Sequence, residues 1–201
     1  MTIVDDAACL LAAADPEGLP LRVDGATRYR LHLSYSCSLD GVGTYLSVES
    51  SEFQLSSEGH GEPLLRLDYD RNARKVPSSH FNVHSHHPAL QEAMGLAGKG
   101  SRAKKKPKPE TLHLPTGGRR FRPSLEDFLE AIILDFKLDA ESGWEDRLAE
   151  GRRSFKWGQL AAAVRDDPQC AIDVLNDMGF VVSWEGQARA PGIKLDRIQQ
   201  L

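Results

Sequence analysis

No apolar run in this 201-residue chain approaches the roughly 20 residues that a helix needs to cross a bilayer. Its start, Met1-Thr2-Ile3-Val4-Asp5-Asp6, has neither the basic nor the apolar stretch of a secretory leader. Membrane insertion and export are not expected; a cytoplasmic location is. Cysteine is scarce too: Cys9, Cys37 and Cys170 are odd in number, far apart and without paired metal spacing. They read as reduced, buried thiols, and no supporting constellation marks one as a nucleophile. Internal repeats, phosphate-binding glycine loops, dinucleotide fingerprints and helix-turn-helix patterns are missing as well.

What is present is ordinary in amount and uneven in placement. Apolar residues make up 40% of the chain and charged residues 27%, enough for a real hydrophobic core. The net charge is −4, yet between Gly98 and Arg122 nine basic residues face one acid, Glu110, so +8 sits there and −12 elsewhere. Lys104, Lys105, Lys106, Arg119, Arg120 and Arg122 are its densest part. A basic segment on an acidic body points to RNA or another polyanion, or to an acidic dock within the chain; the plainer reading is a solvated loop.

Taken in order, Ile3 to Ala14 is alanine- and leucine-rich at helical spacing and stops at Asp15-Pro16-Glu17-Gly18, which predicts an N-terminal helix. Tyr29 to Leu39 alternates strictly, with Tyr29, Leu31, Leu33, Tyr35 and Cys37 against Arg30, His32, Ser34 and Ser36, as a half-buried strand does. Asp40-Gly41 is a hairpin signal, and strands over Thr44–Leu55 and Leu64–Asp70 follow. Next comes a histidine-rich strand, His80 to His87, with Pro88 opening a short helix. Gly98 to Pro109 has no apolar periodicity and reads as a linker; Thr111–Pro115 reads as a short edge strand.

Ser124-Leu125-Glu126-Asp127 is a capped helix start, and Leu125, Phe128, Leu129, Ile132, Ile133 and Phe136 form a buried stripe behind it. Ser142–Arg165 and the segment after Pro168 predict two more helices, and Phe180–Trp184 a final strand. The expected fold is α+β: an antiparallel β-meander packed by a long amphipathic helix, with additional C-terminal helices. Residues 1–137 would form the β-rich core with its N-terminal helix and basic loop (98–109), and residues 138–201 a helical extension on the same core.

The histidine row carries the chemistry. On a strand, His80, Asn82, His84 and His86 share one face and Phe81, Val83 and Ser85 the other, so one side can join a core while imidazoles line the other. Three readings stay open. His84 and His86, about 7 Å apart along the backbone, could hold a divalent metal with Asp68 as a carboxylate ligand. Alternatively His80, His84 or His86 could act as acid and base on RNA while Arg119, Arg120 and Arg122 hold the phosphate, with no metal required. The third reading is a solvated polar face.

The order Leu65-Arg66-Leu67-Asp68-Tyr69-Asp70, then His80 to His87, then Phe121-Arg122-Pro123-Ser124-Leu125-Glu126-Asp127-Phe128-Leu129 resembles the TumE-type toxins of bacterial toxin–antitoxin pairs. The likeness spans residues 27–137. It implies a small cytoplasmic protein that acts on RNA or translation and is neutralised by an antitoxin-like partner. The chain departs from that pattern in its greater length, its basic insert at 98–109 and its helices from Ser142 onward. Two functions follow as expectations: an RNA-directed toxin-like ribonuclease using the histidine cluster, or a non-catalytic nucleic-acid-binding or regulatory protein using segment 98–122.

Overall fold

A computed structural model of the chain describes residues 2–5, 8–12, 17–39, 46–84, 87–96, 112–186 and 192–198. The strictly alternating stretch around Tyr29 becomes its longest strand, and the others assemble beside it. The strands are β1 (Thr2–Asp5), β2 (Ala8–Ala12), β3 (Leu19–Val23), β4 (Ala26–Leu39), β5 (Leu46–Ser57), β6 (Pro63–Asp70), β7 (Ser79–Val83) and β8 (Leu114–Pro115). They form one antiparallel sheet in the order β1-β2-β4-β5-β6-β7-β8, with β3 also paired to β4. The helices are α1 (Pro88–Leu96), α2 (Leu125–Asp135), α3 (Trp144–Asp166), α4 (Pro168–Asp177) and α5 (Leu195–Ile198). The fold is α+β, as the pattern of the chain predicts.

Alternation decides which face is covered. Leu31 of β4, Phe53 and Leu55 of β5 and Leu67 of β6 point to the side where α2 lays Phe128 and Ile132, and Leu138 closes the cluster. Each such side chain contributes about 1.5–3 kcal/mol on full burial. Aromatic contacts extend the same layer: Phe53 meets Tyr35 at 5.3 Å and Phe128 at 6.0 Å between ring centres. No side chain of α3 or α4 belongs to this cluster.

Four expectations are corrected. The N-terminal helix is instead the β1–β2 hairpin, in which β2 pairs with Ser34–Ser38 of β4. The reason lies in β4, which is 14 residues long: β3 pairs only with its first half, and the open N–H and C=O groups of the second half recruit a strand over helix propensity. The histidine strand ends at Val83, not at His87. Phe180–Trp184 pairs with no strand among the described residues. Cys37 is a buried thiol, but Cys170 is exposed. The Asp40-Gly41 turn, His86, the 98–109 linker and Lys104, Lys105 and Lys106 lie outside the described residues.

Candidate functional site on the polar face of the sheet

Because Leu67 and Tyr69 point toward α2, Arg66 and Asp68 must point to the opposite face. Strand register then lines up two polar rows across four strands: Ser34, Glu52, Asp68 and His80 in one, His32, Gln54, Arg66 and Asn82 in the next. The rows converge on Asp68. Its Oδ2 accepts from Arg66 Nε at 2.9 Å and from Asn82 Nδ2 at 2.9 Å, lies 2.8 Å from Arg66 Nη2, and faces His80 Nε2 at 3.4 Å. Its Oδ1 is buried with no hydrogen-bond partner among the described residues, and so is Asn82 Oδ1.

Phe81 packs on the core as expected, but the histidine side is closed rather than open. His80 is 5% exposed and Asn82 fully buried, whereas Val83, on the other parity, is exposed. Two segments close over the histidine. Its Nδ1 donates to the Pro77 carbonyl at 2.8 Å, and the ring of His113, just before β8, stands edge-on to it at 4.4 Å. A general base needs a ring nitrogen open to the substrate's proton. Both nitrogens of His80 face protein oxygens, so this ring is placed to orient Asp68.

The remaining histidines disperse. His84 is half-buried just past β7, and its backbone N–H donates to Leu64. His87 caps α1, accepting from the Leu90 N–H through Nδ1 at 3.3 Å. Of the proposed metal triad of His84, His86 and Asp68, Asp68 is engaged by Arg66, Asn82 and His80, and His86 lies outside the described residues. Among the described residues no three His, Cys, Asp or Glu side chains are grouped to hold a metal ion.

Arg122 stands on the other side of the sheet. Arg122 lays its guanidinium 3.9 Å over the Tyr69 ring and 5.3 Å from that of Phe155, and donates to the Arg119 carbonyl. Burial lowers its pKa, the Tyr69 hydroxyl opposes that shift, and the nearby Arg120 and Arg71 charges reinforce it. Tyr35, in the same layer, has its hydroxyl pushed up to about 12, by burial first and by the Glu126 charge second. Arg120 is held by Asp166 at 2.6 Å, and that carboxylate is almost wholly buried.

The pairing of histidines with arginines as base and phosphate clamp is therefore corrected: Tyr69 and Asp68 are neighbours of opposite parity, so a sheet separates Arg122 from His80. Reading the chain alone placed Asp68, His80 and Asn82 correctly on polar faces. It missed His113, which lies 33 positions from His80 and carries no local signal. Comparison with protein-family models, curated proteins and solved structures finds no match to this chain.

Proposed function

We propose that this chain is a non-catalytic nucleic-acid-binding or regulatory protein that grips RNA or a like polyanion through the basic segment 98–122. The observation that favours binding over cleavage is the sheet between His80 and Arg122, together with a histidine whose two nitrogens both face protein oxygens. The charge split supports the same reading: +8 in 25 residues that follow α1 and include β8, the strand that pairs with β7 at the edge of the polar face. The likeness of residues 27–137 to TumE-type toxins fits an RNA-directed role in the cytoplasm, with an antitoxin-like protein as a further partner.

The test is RNA affinity over a salt series. Replacing Lys104, Lys105 and Lys106 by Ala should flatten the slope of log affinity against log salt by about 2, the value for three phosphate contacts on a single strand. An unaltered slope rejects the role of the lysines. The same samples, run on a denaturing gel, should show intact RNA. Cleavage that disappears in His84→Ala or His80→Ala would replace binding by the ribonuclease reading.

A further inference from the structure

Helix α3 runs 23 residues, yet its one fully buried side chain is Asp166, and α4 has none. Helices in folded proteins owe most of their stability to a packed apolar face. Trp144, Leu148 and Phe155 of α3 are half-buried, but other large apolar side chains lie on the surface: Trp157 is 75% exposed, and Leu160, Val164, Val174 and, just after α4, Met178 are exposed as well. Directly after α4, the run Phe180–Trp184 adds more, with Val181 at 97%.

Trp157, Leu160, Val164 and Val174 form one surface. Leu160, Val164 and Val174 line a groove of about 620 Å³ with Phe121. Leu160 also lines an adjoining hollow of about 440 Å³ with Trp157, Arg153 and Lys156. At up to 150–250 Å² for an aromatic side chain, the exposed apolar side chains between Trp157 and Trp184 together leave on the order of 900 Å² uncovered. A stable interface covers about 800 Å² per partner.

Charge indicates the occupant. The exposed stretch of α3 is basic, with Arg153 and Lys156 beside Trp157 and Leu160. The exposed face of α4 is acidic, with Asp173 and Asp177 beside Val174 and Met178. The two are complementary, and each leaves its apolar residues open to solvent. We infer that a second copy of this chain covers this surface, with α4 and Phe180–Trp184 of each copy lying across α3 of the other about a twofold axis. Reciprocal exchange of this kind covers the basic and the acidic halves at once, on both copies, and does not depend on RNA binding.

Sedimentation equilibrium of the full chain, from about 1 to 100 μM, the range in which moderate interfaces associate, should give twice the chain mass. Reversing α3 (Arg153→Glu with Lys156→Glu) or α4 (Asp173→Lys with Asp177→Lys) should weaken self-association at least about 30-fold through like-charge contacts. The two variants mixed in equal amounts should dimerise again, because each then meets its opposite in both exchanges. Met178→Glu, at an exposed site, should be monomeric with unchanged helix content, and it stands in for a reversal variant that fails to fold. A wild-type monomer throughout the range, a variant that still dimerises alone, or a mixture that stays monomeric overturns the inference. Dimerisation seen only after an unrelated acidic helical peptide is added assigns the surface to a different partner and overturns it as well.

Discussion

Asp68 concentrates the polar face into one carboxylate oxygen: Oδ2 draws Arg66, Asn82 and His80 together, and Oδ1 has no hydrogen-bond partner among the described residues. Removing the carboxylate strips the acceptor from two charged or chargeable groups and from a buried amide. Asp68→Ala should therefore cost about 3 kcal/mol, and Asp68→Asn, which keeps an acceptor at the same place, about half of that; urea midpoints at neutral pH compare them. If the two variants are equally destabilised, charge outweighs shape at this site. Which parity Asp68, His80 and Asn82 take was legible from alternation. That His80 is sealed was not, because Pro77 and His113 arrive from loops whose paths no periodicity encodes.

Helix α2 shows the opposite case, an element written almost entirely in its own residues. Ser124 accepts from the Asp127 N–H and Asp127 returns a bond to the Ser124 N–H, completing the reciprocal cap that the Ser-Leu-Glu-Asp order predicts. Ser124→Ala should cost about 1 kcal/mol in urea unfolding. Burial raises the Asp127 pKa, but the Ser124 N–H and the Arg152 guanidinium outweigh it, so the net shift is downward from 3.8. A folded-state value below the unfolded one stabilises above about pH 4, and that contribution is lost as pH falls through the folded value. Asp127→Asn should accordingly flatten the acid limb of stability against pH below about 4; a limb of unchanged steepness assigns acid sensitivity to other carboxylates. The β1–β2 hairpin shows where local reading fails: alanine-rich residues have the propensity of a helix, and only the half-open edge of β4 makes strand pairing the better use of their backbone.

At the scale of the whole molecule, two modes of attachment divide the chain. The sheet and α2 share a continuous apolar core, while α3 is tied to them by polar and cation–π contacts: Arg152 to Asp127 and Glu130, Asp166 to Arg120, and Phe155 beside Arg122. Amides of α3 and α4 should exchange hydrogen faster than those of β4, β5 and β6, and Asp166→Asn should widen the gap by loosening α3 without changing the strands. Uniform protection across both parts would show them to open as one unit. The sequence by itself determined the class of fold, the alternation of its strands, the cap and stripe of α2 and the split of charge, because each depends on residues within a few positions of one another. The tertiary structure decided that the N-terminal segment is a strand, that His80 is enclosed, that Arg122 stands behind the sheet and that α3 and α4 leave an apolar surface open. Those outcomes depend on which strand edge or helix face remains uncovered once everything else has packed, and no local pattern specifies that.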